Sequence, residues 1–266
     1  MIFLFIKSIL NKVGFHIRSN LKWQRKNYFE YNEDKKKLFI KNVDECEKRE
    51  KELFLKYNLQ EFKNNSTRVR YIENLIYLSF LEEIFCEINF EDKKTILDVG
   101  VKNWSYVNAL ELFFLKHLQN FNLHGIEIDP YRIYRDFHSR IDYLNFYVSS
   151  LKTNNIKFFE GDVLNHKNNY DIILSFFPFV FYDTHIKWGL LKKNFAPLKY
   201  FQILIGMLNI NGFLLIVNQN EEEFFETKKI LSNSENSIKI IIQKKLNVVF
   251  LQEKKNRYGF LVQKIL

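Results

Sequence analysis

From residue 95 to residue 217 the chain alternates two textures. Short apolar runs at 95–99, 123–128, 156–160, 171–176 and 212–217 are separated by stretches of helical periodicity. Such alternation predicts βαβ units and a largely parallel sheet. The predicted helices cover 107–118, 130–151 and 198–208, the second opening with Asp129 as N-cap and Pro130 in its first turn. The third and fourth runs lie closer together than a parallel crossover usually requires. That spacing leaves room for a loop or one helical turn.

The flanks differ. Residues 66–88 form a strongly apolar helical stretch with Ile72, Leu75, Ile76, Phe80 and Ile84 on its buried face, and Ser66 or Thr67 caps it. Residues 32–57 are helical in pattern but charge-laced, with a thin supply of apolar side chains. After residue 237, two strand-like runs joined by Lys254-Lys255-Asn256 suit a hairpin. A parallel sheet therefore ends in an antiparallel pair, behind a helical extension over 1–88; the α/β unit spans 89–266.

The first ten residues are apolar but broken by Lys7, too short a run for the roughly 20 residues a spanning helix needs. They lack the basic start and small-residue cleavage site of a secretory signal. Residues 1–29 hold six Lys or Arg and no acid, while Ile2, Ile6, Ile9 and Val13 recur at helical spacing. Two readings stand. The helix docks its apolar side on its own domain and wets its basic side, or it makes peripheral contact with an anionic membrane or RNA.

Composition narrows the class without deciding it. An apolar share of 47% is too high for a disordered chain, and 8 Gly with 3 Pro exclude collagen-like or Pro/Gly-rich repeats. The balance of 40 basic against 31 acidic residues, +9, suits an anionic partner but selects none. Cys46 and Cys86 form no disulfide framework, which points to a reducing cytoplasm, and no metal site is expected from the scattered His and Cys.

Ligands of open α/β sheets lie beyond the carboxyl ends of the strands. Here those ends carry Asp98-Val99-Gly100, Glu127-Ile128-Asp129, Gly161-Asp162 and Ser175-Phe176-Phe177-Pro178-Phe179. No Gly-x-Gly-x-x-Gly loop follows Gly100, and no NTPase-type phosphate loop occurs anywhere. In order and spacing, Asp98-Val99-Gly100, Glu127, Gly161-Asp162, Asn211-Gly212 and the terminal hairpin resemble a class I S-adenosylmethionine-dependent methyltransferase, over residues 88–266. The resemblance implies a Rossmann-like sheet and S-adenosylmethionine as cofactor. It puts Asp98 and Gly100 under the methionine part, Glu127 on the ribose diol and Asp162 on the adenine amino group. Ser175, with Asp183 and His185 in the segment that follows, becomes a candidate for catalysis or for receiving the acceptor's proton. The family's later loop glycines are replaced by Lys102 and Trp104. Lys102 either keeps a left-handed backbone and pairs with the cofactor's carboxylate or is a solvated loop residue. Trp104 is expected to pack on the first helix. The implied activity is methyl transfer to an unidentified small-molecule or surface-presented acceptor. The alternative is a catalytically silent relative that binds RNA or an anionic membrane through its basic N-terminal segment. Arg68, Arg70 and Tyr71 either close over the cofactor or point to water.

Overall fold

The structure, a computed structural model, describes residues 2–25, 43–86, 88, 90, 95–251 and 256–266. Seven strands form one sheet: β1 (Thr95–Val99), β2 (Asn122–Glu127), β3 (Ile156–Glu160), β4 (Tyr170–Phe176), β5 (Leu208–Asn218), β6 (Ile238–Leu246) and β7 (Arg257–Lys264). Their order is β3-β2-β1-β4-β5-β7-β6, with β3, β2, β1, β4 and β5 parallel and β7 antiparallel to both neighbours. Strand order reverses between β1 and β4, so the crevice for a ligand opens at their carboxyl ends.

The hop from β3 to β4 passes two strands in the residues from Gly161 to Asn169. Three strand spacings (about 14 Å) at right angles to one strand length (about 17 Å) make a diagonal of about 22 Å, and nine extended residues reach about 30 Å, so only a short turn fits on the way. That turn is a 3₁₀ helix at Val163–Asn165.

Both faces of the sheet are covered. One core layer joins Ile96, Leu123, Ile172, Leu174 and Leu215 to helices α2 (Val43–Tyr57), α4 (Arg68–Ile84), α5 (Val107–His117) and α6 (Arg140–Ser149). A second joins Leu97, Ile126, Ile173, Leu214 and Ile216 to α8 (Pro197–Met207) and α9 (Glu221–Leu231). Short helices α3 (Gln60–Asn64) and α7 (Tyr182–Lys187) and the long α1 (Ile2–Leu21) complete the set. Because α4 buries Leu75, Leu78, Phe80 and Ile84 in the first layer, packing is continuous across the 1–88/89–266 division. Thr67 caps α4, accepting from the Arg70 backbone.

Several expectations are corrected. No helix starts at Pro130: Asp129 is drawn into ion pairs, and α6 begins at Arg140 under a Ser139–Asp142 capping box. In the tail, β6 ends at Leu246 and Phe250 leaves the ladder to enter the core, so the connection to β7 is longer than a tight turn. Lys254 and Lys255 lie outside the described residues, as do residues 32–42 of the charge-laced stretch. Helices α7 and α9 were not anticipated, although Asn220 followed by three Glu is a strong helix start for α9. Arg70 points neither to water nor to a ligand: it is buried, donates to Asn108 Oδ1, and lies over the rings of Tyr147 and Phe62. Tyr71 is buried as well, while Arg68 is exposed.

The sharpest correction concerns α1. Its inward side is largely polar (Lys7, Ser8, Asn11, Arg18), and Asn11 donates to the carbonyls of Ile186 and Leu190 on and after α7. Its apolar side faces out, with Leu10 65% and Val13 53% exposed. Docking by the apolar side is therefore overturned. Among the described residues, no helix is long and apolar enough to cross a membrane.

On the last strand pair, β6 runs along one margin of the sheet. It alternates exposed Lys239, Ile241, Gln243 and Lys245 with more buried residues, and its register slips between Ile240 and Ile242.

Trp104 locks the centre of the first layer. It is fully buried, and a Cβ placed on Gly125 of β2 would sit 2.7 Å from the indole. Gly125 is thus required for close approach, not for backbone freedom. Gly125→Ala is expected to lower stability by about 1–3 kcal/mol, the usual cost of overpacking a filled core, measured by urea denaturation.

Candidate active site

The loop after β1 sets the floor of the site. Gly100, Lys102 and Trp104 all have positive φ, at 76°, 58° and 52°. The backbone thus makes the turns that glycines ordinarily make, at a strain of about 1–2 kcal/mol for each non-Gly residue. Burial of the Trp104 indole offsets this on one side. On the other, the Lys102 amide donates to Glu127 Oε2 at 2.8 Å.

Glu127, at the end of β2, is 5% exposed and heavily engaged. Its Oε1 accepts from Arg140 Nη1 at 2.7 Å and from the Asp129 amide at 3.0 Å. Next to it, Asp129 takes a two-pronged contact from Arg18 (3.0 and 2.7 Å) and an ion pair with Arg132 at 3.3 Å. Two carboxylates and three guanidiniums therefore meet beyond β2, and each buried charge has an opposite partner, as burial demands. The carboxylate oxygens offer about four acceptor positions. Among the described residues Glu127 uses three, which leaves one on Oε2.

A cavity of about 380 Å³ opens beyond the carboxyl ends of β1 to β4. Gly100, Lys102, Glu127, Asp162 and His185 all contribute to its wall. Gly100 and Gly161 (φ 136°) both have open space where a Cβ would stand, so the chain can approach a ligand closely at these two points. Asp162 Oδ1 caps the 3₁₀ turn through the Leu164 amide, and its Oδ2 accepts from Asn194 Nδ2 at 2.5 Å. Asn194 Oδ1 is buried and has no hydrogen-bond partner among the described residues. Lys102 is exposed, with its ammonium 5.9 Å from the centre of the Trp188 ring.

Three of the sequence candidates stand off this wall. Asp98 is wholly buried beneath the loop, accepting from Trp104 Nε1 at 2.8 Å. Burial pushes its carboxyl up to about 7, against the opposing pull of the Tyr106 hydroxyl and the indole N–H. Ser175 is buried behind Tyr200, their hydroxyls 2.8 Å apart, and it is Tyr200 that reaches the cavity. Asp183 is exposed on α7. His185 is buried between the rings of Phe179 and Phe195. Its Nε2 is 2.8 Å from the Leu191 carbonyl, so Nε2 carries the proton and Nδ1 is the remaining acceptor. Burial lowers its pKa, which keeps the ring neutral.

Sequence reading missed Glu73, Arg140, Trp188, Asn194 and Tyr200 on the same wall. Each lies in a stretch that the sequence marks (Glu73 beside Arg70 and Tyr71, Arg140 in the helix predicted over 130–151, Trp188 and Asn194 after Ser175, Tyr200 on the helix predicted from 198), but nothing in the sequence singles any of them out. No cluster of His, Cys, Asp and Glu among the described residues is placed to hold a metal ion.

With this geometry in hand, comparison with solved structures identifies the architecture. A Listeria monocytogenes protein described as a candidate class I S-adenosylmethionine-dependent methyltransferase superposes with a TM-score of 0.51 at 14% identity, covering 83% of this chain and 68% of its own. TrmN from Thermus thermophilus superposes with a TM-score of 0.51 at 9% identity, covering 72% of this chain and 49% of that one. The chain has the class I methyltransferase fold. Its sequence matches no protein-family model and no curated protein.

Two predictions follow from the buried charges. The folded protein keeps the Asp98 proton between 3.8 and about 7, where an unfolded carboxyl has lost it. Stability from this group therefore falls as pH rises through that window. Asp98→Asn, which retains an acceptor for the indole, should raise Tm more at about pH 8 than at about pH 5, with a gain of at most about 4 kcal/mol. Arg140→Ala, which strands Glu127, should cost about 3–5 kcal/mol in chemical denaturation.

Proposed function

We propose that the protein is a methyltransferase that uses S-adenosylmethionine. The observation that carries this reading is the set of unspent groups around one cavity in a sheet of this fold: the remaining acceptor position on Glu127 Oε2, the partnerless Asn194 Oδ1, and the open approaches at Gly100 and Gly161. Glu127 would take a ribose hydroxyl. Asn194 Oδ1, beside Asp162, would accept from the adenine amino group. Gly100 would lie against the methionine part, with Lys102 facing its carboxylate and Glu73 its ammonium.

When bound, the cofactor supplies an electrophilic methyl group on a positively charged sulfur. The chain's own work is then alignment and exclusion of water. Phe177, Phe179, Phe195, Trp188 and Tyr200 give the acceptor side of the cavity an aromatic lining. A neutral His185, with Nε2–H committed to Leu191, holds Nδ1 ready for an acceptor proton. The acceptor itself is a small molecule or a surface-presented group. The reading as a silent relative drew on the lost glycines. Because Lys102 and Trp104 keep the left-handed turns, that motive is gone.

Calorimetry with S-adenosylhomocysteine tests the proposal. The wild-type chain should bind in the micromolar range, and Glu127→Gln should weaken binding by about tenfold or more through loss of a charge-assisted hydrogen bond. Circular dichroism checks that the variant stays folded. Absence of binding by the folded wild type would refute the reading.

A further inference from the structure

Helix α1 is an amphipathic helix turned inside out. Its stripe of Phe3, Ile6, Leu10, Val13, Ile17 and Leu21 recurs every three or four residues on one side, and all six side chains are about half or more exposed. Phe5 and Ile9 widen the stripe. In a water-facing helix this side would turn inward for about 25 cal/mol per Å² of apolar surface removed from water. The polar side is instead held against the domain by specific bonds: Asn11 to one carbonyl on α7 and one after it, Arg18 to Asp129, and Lys22 to Glu160 at 3.0 Å. Such bonds fix the rotation of the helix, so its apolar side is aimed outward by construction.

We infer that α1 seats the protein on an anionic lipid bilayer, lying flat in the interface with its apolar stripe in the acyl boundary. A 20-residue helix gives a contact about 30 Å long. The charge around it fits that partner: residues 1–29 carry no acid, and on α1 itself the exposed Lys12 stands outside the inward polar side. At the end of the helix Trp23 is 47% exposed and donates to the backbone carbonyl of Phe137, itself an exposed aromatic residue. Aromatic residues at such a place favour the level of the lipid headgroups.

Two other occupants fit less well. An RNA would need the basic groups, but Arg18 and Lys22 already face Asp129 and Glu160, and the outward side is apolar. A second copy would bring two acid-free basic segments together. The helix also lies against α7, whose C-terminal neighbour Trp188 forms part of the cavity wall. A bilayer bound by the outward side of α1 is separated from α7 by the thickness of that helix, about 10 Å. This surface does not depend on how the cavity is read.

Flotation of the full chain with vesicles decides the matter. It should float with vesicles of phosphatidylcholine mixed with phosphatidylglycerol and bind more weakly to phosphatidylcholine alone. The double variant Leu10→Asn/Val13→Asn, and separately Ile17→Asn/Leu21→Asn, should bind about tenfold less or weaker while melting like the wild type, since these side chains touch no core. Lys12→Glu should lose affinity for the mixed vesicles only. Failure of the wild type to float with either vesicle would overturn the inference. So would undiminished binding by both double variants, or a wild-type dimer in analytical ultracentrifugation that either double variant turns into a monomer.

Discussion

Glu127 is the point through which the local order of the molecule passes. One carboxylate holds the Lys102 amide of the loop after β1, the Asp129 amide after β2 and the Arg140 guanidinium at the head of α6. A buried ion pair seldom adds much net stability, since desolvation cancels most of the attraction, but leaving one charge without its partner is expensive. Its value here is geometric. The three segments it joins make up much of one side of the cavity, and an apolar substitute would join none of them.

The loop below it solves a related problem in an unusual way. Its turns need left-handed backbone, which side-chain-bearing residues resist. Two such residues occupy those positions, and each is compensated differently: Trp104 by burying an indole against Gly125, Lys102 by its amide's bond to Glu127. Asp98, which receives the indole N–H, consequently serves the loop from below and is part of what keeps the loop's shape. Tyr200 and Ser175 repeat the arrangement on the other side, with a buried hydroxyl supporting one that lines the cavity.

Strand positions, the parallel-then-antiparallel sheet and the acids at the strand ends were legible in the sequence, because period-two and apolar-run signals are local. What escaped was decided by tertiary partners. Asp129-Pro130 has the form of a helix start, yet Arg18, more than a hundred residues earlier, claims the carboxylate, and the helix waits until Ser139. The moment of α1 was plain in the sequence, but its direction was not. Periodicity tells which residues share a face; only hydrogen bonds such as those of Asn11 tell which face looks inward. Glu73, Arg140 and Asn194 reach the cavity from three separate parts of the chain, and although Arg70 and Tyr71 mark the neighbourhood of Glu73, and Asp183 and His185 that of Asn194, no local signal picks out the residue that reaches the cavity.

The outer margin formed by β6 bears on how such a sheet survives at high concentration. A straight, apolar border strand exposes unpaired amides and carbonyls that invite another molecule to continue the ladder, and repeated addition leads to fibrils. The slip at Ile241 twists this border out of register, and ammonium groups at Lys239 and Lys245 would repel a like strand laid beside it. The sheet is thereby closed to growth in a direction its hydrogen-bonding alone would leave open.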